Sequence, residues 1–296
     1  MDYLWGHPLR SEVLRLPISF YPFPDYLQQF SAFYFEHFYV RMNNQKEKIM
    51  LRKIFAMSIT LALFGSLVAQ EKPIVLRQVD ITPKPGMASK LEKGLLDHNK
   101  KFHVDAGHPV ITWQVLSGPN TGTLIRSTPL VNWEYFDDSN DPPEDQVHWD
   151  RYVSPYVEST SGQYYNRFFP NLSSKPVSAD GIPKMLRVMS VDVEKGAWSN
   201  IFDLFEKAQQ ARDKTGSSQN VWVIRTIEGG ERRYLTTLLG MDKWADRNPQ
   251  EMPLSKRMDE AFGKGSWEKW VEEWREIVIE RKDETWLYRP DLSTMN

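Results

Sequence analysis

The chain reads PIVLRQVDITPKPG from Pro73 to Gly86 and PKMLRVMSVDVEKG from Pro183 to Gly196. The two stretches share their first proline, a Leu-Arg pair and a closing glycine, all at a constant offset of 110 positions. This repeat predicts that one half-domain is duplicated within the chain. Because stacked-repeat architectures need at least about three units, two copies predict a pair of similar halves that bury one face against each other.

The correspondence continues beyond these stretches. Trp133 and Trp244 lie 111 positions apart, and PNLSS at residues 170–174 recurs as PDLST at residues 290–294, 120 positions further on. The order is kept while the offset grows slowly, as expected for a duplication followed by small insertions. The predicted organisation is therefore repeat A, a linker that contains Pro, Ser and Gly, and repeat B, over residues 73–174, 175–182 and 183–295.

An apolar run upstream of repeat A predicts export. Arg52 and Lys53 precede 16 uncharged residues, 54–69, that end in small side chains. This is the layout of a secretory signal peptide, and the run is short for a bilayer span, which needs about 20 residues. We therefore predict a signal peptide over residues 50–70, cleavage near Ala69, and a periplasmic or secreted mature chain without a stable membrane span.

A signal peptide belongs at the N-terminus, so the residues before it need an explanation. We predict that residues 1–49 are a non-native, disordered upstream extension that results from a mis-assigned start, with Met50 as the true start. The alternative is that Met1 is the true start and residues 54–69 form a signal anchor. The N-terminal sequence of the exported product distinguishes the two, since an intact Met1 end would contradict the signal peptide.

Composition restricts the classes of function. The chain contains no cysteine, which excludes disulfides, thiolate nucleophiles and cysteine-based zinc sites. The formal net charge of −2 provides no basic field for nucleic acid, so no nucleic-acid partner is expected. Aromatic residues make up 13% of the chain, which is enough to fill a sizeable core.

The hydrophobic pattern predicts the element order β-α-β-β-α-β in each repeat. In repeat A, an extended run from Ile74 to Thr82 is followed by a Pro-Gly turn, a helix and a hairpin. A second helix is predicted to continue to near Tyr165, with a short closing strand over residues 166–169. In repeat B the last helix is predicted to end near Arg281, with a closing strand over residues 285–288.

This element order is the ferredoxin-like arrangement. A single four-stranded sheet covers one face with helices and leaves the other face in need of a partner. Two copies in one chain can place those two faces together. The predicted fold class is therefore α+β, with two tandem ferredoxin-like βαββαβ repeats that form a pseudo-dimeric α/β barrel.

Several motifs of repeat A resemble a known family. Lys84-Pro85-Gly86 before a helix, Trp113 in the next strand and Trp133-Glu134-Tyr135 after the hairpin are similar to NIPSNAP-type members of the dimeric α/β-barrel superfamily. The resemblance covers about residues 73–295, but repeat B has Glu194-Lys195-Gly196 in place of the Pro-Gly. It implies a barrel with a cleft between sheet and helices, and it implies no single reaction. The superfamily includes cofactor-free monooxygenases and haem-binding enzymes.

His98 is the best candidate for a catalytic residue. It lies on the apolar stripe of the first predicted helix, where repeat B has Ala208. A titratable group in one half can mark a site and act as polar anchor or base. The structural reading is a core histidine bonded to a carbonyl or carboxylate. The resemblance leaves haem with one axial histidine as a weaker alternative, which would need an apolar pocket; otherwise no cofactor is expected.

Two further histidines, His103 and His108, follow His98 at intervals of five residues. Five residues along an α-helix rotate the side chain by about 140°, so helix geometry alone does not bring the three histidines to one metal ion. The site is therefore predicted to contain no metal, with a trihistidine site as a minor alternative.

Arg77 and Trp113 are the other predicted ligand-binding residues. Arg77 and Arg187 occupy equivalent strand positions in the two repeats, and a buried guanidinium must be paired. The functional reading of Arg77 is an anion clamp, and the structural reading is an ion pair that both halves use. Trp113 is expected to pack against a small hydrophobic or planar ligand.

These features favour an exported small-molecule-binding protein or a cofactor-independent oxygenase-like enzyme. The ligand is expected in a sheet–helix cleft of repeat A near Arg77, His98 and Trp113. The alternative is a non-catalytic envelope protein of unknown role that uses the duplicated fold as an interaction module, so enzymatic activity stays open. A sizeable apolar pocket with His98 pointing into it favours the first function, and a filled core in both halves favours the second.

Overall fold

The computed structural model describes residues 72–104, 108–137, 142–174, 181–230, 233–248 and 250–295. They belong to one compact unit of the chain, Lys72–Asn296. The predicted upstream extension, the signal peptide and most of the predicted linker lie outside the described residues. None of the helices within the described ranges combines the length and apolar character that a bilayer span requires.

Antiparallel strands form a closed barrel. In chain order the eight described strands are β1 Val75–Pro83, β2 Ile111–Ser117, β3 Leu124–Ser127, β4 Val157–Phe168, β5 Met185–Val193, β6 Val221–Glu228, β7 Leu235–Met241 and β8 Val278–Tyr288. Around the barrel they follow the order β1-β3-β2-β8-β5-β7-β6-β4, and β4 closes on β1. Closure leaves the described sheet without a free edge.

Five α-helices accompany the barrel in the described residues. They are α1 Ala88–Phe102, α2 Pro143–Tyr152, α3 Trp198–Lys214, α4 Leu254–Phe262 and α5 Ser266–Ile277. α1 packs against α2, whereas α3 packs against both α4 and α5. The α+β class and the barrel implied by the resemblance are therefore confirmed.

Successive side chains along each strand alternate between the barrel interior and the outer face beneath the helices. On β1, Leu76, Gln78 and Asp80 line the barrel interior, whereas Arg77 and Ile81 lie on the outer face beneath the helices. Successive strand side chains point to opposite faces, so the parity of a residue decides which environment it enters. This parity places Arg77 on the side of α1 and α2.

The predicted end of the second helix is wrong. α2 ends at Tyr152 and is followed by a short 3-10 turn that contains Pro155. β4 begins at Val157, well before the predicted end near Tyr165, and eight of its 12 residues pair with β1. The run is rich in Ser, Thr and Gly, which are weak helix formers, and the ladder with β1 satisfies its backbone.

The predicted last helix of the second half is also too long. Two helices, α4 and α5, precede β8, and they are separated by Gly263 and Gly265, which have φ values of +97° and +88°. Glycine adopts this left-handed conformation without a steric penalty. α5 ends at Ile277, so β8 starts at Val278 and reaches past the predicted helix end at Arg281.

The outer core, by which we mean the apolar cluster between the barrel and its helices, is larger in the second half of the chain than in the first. Among the described residues, 12 buried side chains form the cluster beneath α3, α4 and α5, compared with six beneath α1 and α2. Trp267, Trp270 and Trp274 stack with ring centroids 5.2 and 5.0 Å apart. The indole of Trp270 donates to the carbonyl of Leu204 at 2.8 Å. These tryptophans are core residues of the second half.

The segments that follow β4 and β8 are exchanged between the two outer cores. The 3-10 turn Pro170–Leu172 follows β4 and packs Leu172 into the core beneath α3. The turn Pro290–Leu292 follows β8 and packs Leu292 into the core beneath α1. Each half of the chain therefore completes the outer core of the other half.

Candidate small-molecule site

A cavity lies between the outer face of β1 and β3 and the helices α1 and α2. Its volume is about 330 Å³, at the lower end of the range of ligand pockets, which is about 300–1,000 Å³. Its polar and aromatic lining includes Arg77, His98, His103, Arg126, Asp145 and Trp149. The predicted cleft is therefore present, but its wall is more polar than expected.

Arg126 brings a buried positive charge into this cleft. It lies on β3 opposite Val79 of β1, and the residue is 7% exposed. Its Nη2 donates to Asn99 Oδ1 at 2.6 Å, and its Cζ lies 5.4 Å from the ring centroid of Trp149. Its Nε has no hydrogen-bond partner among the described residues. A neutral amide is therefore the main direct partner of this guanidinium.

Burial lowers the pKa of Arg126 to about 10, while Asp145 opposes the shift and Arg77 adds to it. The guanidinium is still protonated near pH 7, and the effect of Arg77 indicates that two like charges share the cleft. None of the ion pairs among the described residues includes Arg126 or Arg77. The cleft therefore carries positive charge that the described part of the chain does not neutralise by direct contact.

His98 is a fully enclosed, neutral histidine. It is 1% exposed, and its Nδ1 lies 3.4 Å from His148 Nδ1. Burial, followed by the repulsion of Arg126, lowers the pKa of His98 to about 3. The 3.5 Å contact between His98 Nε2 and Asp145 Oδ1 is therefore not an ion pair at neutral pH. At this contact a neutral His98 can donate its Nε2–H to the carboxylate oxygen without carrying charge.

His103 joins His98 in spite of the five-residue spacing. α1 ends at Phe102, and His103 follows as its C-cap with φ −120° and ψ −16°. The rings of His98 and His103 have centroids 5.2 Å apart, because the chain leaves the helix between them. His108 lies elsewhere, with Nδ1 3.4 Å from the hydroxyl of Tyr135. The three histidines therefore do not all converge, as expected, but His98 and His103 lie side by side while His108 lies apart.

The sequence did not indicate Asp145 and Arg126 as site residues. Asp145 lies in the first turn of α2, where an acidic residue is explained by the helix dipole alone. Arg126 follows the apolar pair Leu124-Ile125 in β3. Its register partner Val79 corresponds to Met189, which pairs with Thr237 in the second half. A lone charge within a buried strand of one repeat was the signal that could have identified Arg126.

The second half does not repeat this arrangement. Arg187, the equivalent of Arg77, has an Nη2 atom 3.9 Å from Asp283 Oδ1 and a half-exposed side chain. Arg77 instead has its Cζ 5.6 Å from the ring centroid of Phe136 and lines the cleft. The two arginines therefore differ in their contacts, and an ion pair that both halves use does not account for Arg77.

Trp113 does not share the cleft with Arg77 and His98. It lies on the interior face of β2 and lines a separate apolar chamber of about 300 Å³ inside the barrel, together with Trp222 and Trp286. The reason is strand parity, because a side chain one position along points to the other face. A role of Trp113 in binding a planar or hydrophobic molecule stays a prediction, now for the interior of the barrel.

A second, polar chamber of about 390 Å³ occupies the other part of the interior. Tyr164 donates to Asp80 Oδ1 at 2.8 Å, and Gln78 donates to the hydroxyl of Tyr164. Burial raises the pKa of Asp80 above its ordinary value, and burial together with Asp80 raises the pKa of Tyr164. Gln78 and Trp286 line both chambers and form part of the boundary between them.

The raised pKa of Asp80 predicts a measurable pH effect. The folded chain binds the Asp80 proton more tightly than the unfolded chain does. The contribution of this carboxyl group to folding stability is therefore greatest below its ordinary pKa of 3.8. This contribution is lost as the pH rises through the raised pKa. Because asparagine does not titrate, the Asp80→Asn variant does not lose stability in this way as the pH rises. We expect the stability of the variant relative to wild type to increase between about pH 4 and pH 7, as measured by urea unfolding.

Asp291→Asn is the control with the opposite sign. Arg289 lowers the pKa of Asp291 below 3.8, so the stability of this variant relative to wild type is expected to fall as the pH rises from the lowered value to just above 3.8, and to stay flat from about pH 5 to pH 7. A flat or falling difference for Asp80→Asn would contradict the effect of burial on this carboxyl group.

Comparisons with known proteins give structural neighbours only. No family model and no curated protein matches the chain. An anthrone oxidase-like protein has a TM-score of 0.47 at 11% identity, with 75% of this chain and 93% of that chain covered. Chlorite dismutase from Candidatus Nitrospira defluvii, solved in complex with imidazole, has a TM-score of 0.41 at 9% identity, with 75% and 93% covered.

The surroundings of His98 also bear on the haem alternative. An axial histidine needs a free ring nitrogen that faces an apolar pocket. The Nδ1 of His98 faces His148, its Nε2 faces Asp145, and Arg126 lies close enough to affect its pKa. These residues do not supply an apolar pocket, and the haem alternative gains no support from this cleft.

Proposed function

We propose that the protein is an exported small-molecule-binding protein that takes an anionic, planar ligand in the cleft between β1, β3, α1 and α2. The observation that carries this proposal is the buried guanidinium of Arg126, whose direct hydrogen-bond partner is an amide oxygen. An oxygenase-like reaction without a cofactor is the enzymatic form of the same proposal. In either form the ligand supplies negative charge in direct contact with Arg126 and Arg77, in addition to the carboxylate of Asp145 in the cleft wall.

The buried charge of Arg126 favours an anionic ligand. A guanidinium removed from water is costly unless it is paired and hydrogen-bonded. A carboxylate matches the fork of an arginine and accepts two charge-assisted hydrogen bonds. Arg126 and Arg77 lie on neighbouring strands on the same outer face, so both can reach one anionic group. We therefore favour a carboxylate over a neutral ligand.

Two further residues fit a planar ligand. The Trp149 ring lines the cleft and packs against both Arg126 and His98. His98 is neutral, so it supplies one polar contact without adding to the positive charge. A flat molecule with one carboxylate can stack on Trp149 while its carboxylate lies at the arginines. In this arrangement His98 acts as the polar anchor, because it contributes one uncharged hydrogen bond to the ligand.

We also infer that the barrel consists of two tandem ferredoxin-like repeats. The first four strands occur in the order β4-β1-β3-β2 and the last four in the order β8-β5-β7-β6, which supports a duplication. Export rests on the apolar pattern of residues 50–70, and a NIPSNAP-type relationship rests on the motifs of repeat A. An interaction module with a filled core in both halves is less consistent with the cavity beneath α1.

The test is a binding series with matched ligands and variants. Aromatic carboxylates and the corresponding neutral amides are titrated into the purified chain by isothermal calorimetry. We expect carboxylates to bind and amides to bind more weakly. Arg126→Met and Arg77→Met are each expected to weaken carboxylate binding by about 10- to 100-fold, since hydrogen bonds to charged groups contribute about 1.5–3 kcal/mol.

Arg187→Met is the matched control, because it removes the equivalent arginine of the second half and should leave binding unchanged. Replacing a buried arginine with an apolar side chain of similar volume often preserves stability, and thermal unfolding checks this for each variant. Equal affinity for carboxylates and amides, no binding of any carboxylate, or full affinity in Arg126→Met would overturn the proposal.

A further inference from the structure

We infer that His98, His103 and Asp145 form a binding site for one divalent transition-metal ion in the wall of the cleft. Each residue offers one ligand atom, and the three atoms lie within 4.8 Å of one another. All three residues line the same cavity. This metal site consists of the chain's own side chains and does not require the anionic ligand proposed above.

The distances are close to those of a metal site. His98 Nε2 lies 3.5 Å from Asp145 Oδ1, and His103 Nε2 lies 4.0 Å from Asp145 Oδ2. Ligand atoms about 2.1 Å from a tetrahedral ion lie about 3.4 Å from each other. With a single carboxylate oxygen the three ligand atoms lie within 4.8 Å of one another, so each separation must shorten by at most about 1.4 Å to reach that spacing, which side-chain rotation can supply.

The two helices that carry the ligands are held in close contact. His98 and His103 lie at the C-terminal end of α1, and Asp145 lies in the first turn of α2. A Cβ atom at Gly94 of α1 would lie 2.1 Å from the carbonyl oxygen of Tyr152 at the end of α2. This contact fixes the spacing of α1 and α2, so the ligand set is arranged before an ion binds.

His148 provides the outer contact that metal-binding histidines usually have. If Nε2 of His98 binds the ion, its Nδ1 faces His148 Nδ1 at 3.4 Å. A hydrogen bond at the second ring nitrogen fixes the orientation and tautomer of a ligating histidine. Two protein elements therefore hold the His98 ring, α1 through the backbone and α2 through His148.

The ligand types indicate the class of metal. Two imidazoles and one carboxylate suit Zn²⁺, Fe²⁺ and Co²⁺ and leave coordination positions open. Because the three side chains line the cavity, those positions open onto the space assigned to the small molecule. An ion there would supply Lewis-acid chemistry to an oxygen atom of the ligand.

The nearby cations oppose metal binding. Arg126 interacts electrostatically with both Asp145 and His98, and Arg77 adds a second positive charge. Metal affinity should therefore be reduced by the arginines and increased by a bound anion, and the coupling must be equal in both directions. The two proposals consequently predict opposite effects of Arg126→Met, which weakens anion binding and strengthens metal binding.

The test is a Co²⁺ titration of the purified, metal-free chain in a buffer without coordinating anions, followed by displacement with Zn²⁺. We expect one ion per chain with d–d absorption of low-symmetry Co²⁺. Asp145→Asn and His103→Gln are expected to weaken binding by more than about 100-fold, because even outer-shell partners contribute about 10- to 100-fold. His108→Ala, which removes a histidine outside the cluster, should bind like wild type.

Circular dichroism and thermal unfolding establish that each variant is folded, and the conservative Asp145→Asn change remains informative if His103→Gln is destabilised. No stoichiometric Co²⁺ or Zn²⁺ binding by wild type, or equal affinity in wild type and Asp145→Asn, would overturn the inference. Because this titration contains no carboxylate ligand, its failure leaves the anion proposal intact, and failure of the carboxylate series leaves the metal inference intact.

Discussion

Replacing Trp286 with alanine is expected to lower the free energy of unfolding by about 3–5 kcal/mol, the usual cost of removing a large buried aromatic side chain. Trp286 on β8 is 7% exposed and lines both chambers of the barrel interior. Its Nε1 donates to Glu284 Oε2 at 2.7 Å. Alanine would leave a void at the boundary of the two chambers and remove one donor from a buried carboxylate.

Urea unfolding followed by far-UV circular dichroism measures this loss without relying on tryptophan fluorescence. Trp286→Phe keeps most of the ring volume and loses the hydrogen bond, so a smaller loss of about 1–3 kcal/mol is expected. Trp244 is 51% exposed, and Trp244→Ala should change stability by no more than about 0.5 kcal/mol. Similar losses for Trp286→Ala and Trp244→Ala would contradict a structural role of the Trp286 ring.

The second large effect is expected at Gly94. Its added Cβ would lie 2.1 Å from the Tyr152 carbonyl oxygen and 3.1 Å from the carbonyl carbon. Alanine is favoured over glycine inside a helix by about 1 kcal/mol, but overpacking costs about 1–3 kcal/mol or more. Because the obstacle is a backbone carbonyl and cannot rotate away, we expect Gly94→Ala to lower the free energy of unfolding by about 2 kcal/mol.

The neighbouring Lys93 provides the control, because its side chain is exposed on the same turn of α1. Lys93→Ala reports the effect of helix propensity alone and should change stability by no more than about 0.5 kcal/mol. Gly94→Ala should also weaken Co²⁺ binding, since it moves α1 away from α2. An increase in stability on Gly94→Ala would show that the two helices are not in close contact.

Local patterns predicted the fold better than they predicted strand lengths. The order of elements and the buried stripe of α1 follow from periodicity, and Leu91 and Leu95 are fully buried as that stripe requires. β4 and the start of β8 were missed because their sequences carry little apolar alternation. β4 forms because its backbone pairs with β1 and β6, which is a long-range effect that no short window contains.

The site was predicted in part for a similar reason. His98 and Arg77 can be recognised in the sequence because the predicted second repeat has Ala208 at the position of His98 and Arg187 at the position of Arg77. Arg126 on β3 and Asp145 on α2 follow His98 by 28 and 47 positions, and the three side chains meet only when α1 and α2 pack on the sheet. Trp113 faces the barrel interior and not the cleft, because strand parity decides which face a side chain enters and the residue type does not.

The turns that follow β4 and β8 pack on the opposite halves of the chain, and this exchange affects the order in which the cleft is assembled during synthesis. Asn99 donates to the carbonyl of Leu292 at 2.7 Å and accepts from Arg126 at 2.6 Å. A chain that leaves the ribosome N-terminus first therefore presents β1, α1 and β3 long before the residue that anchors Asn99 has been translated. The cleft can reach its final geometry only after β8 and the turn that follows it have emerged.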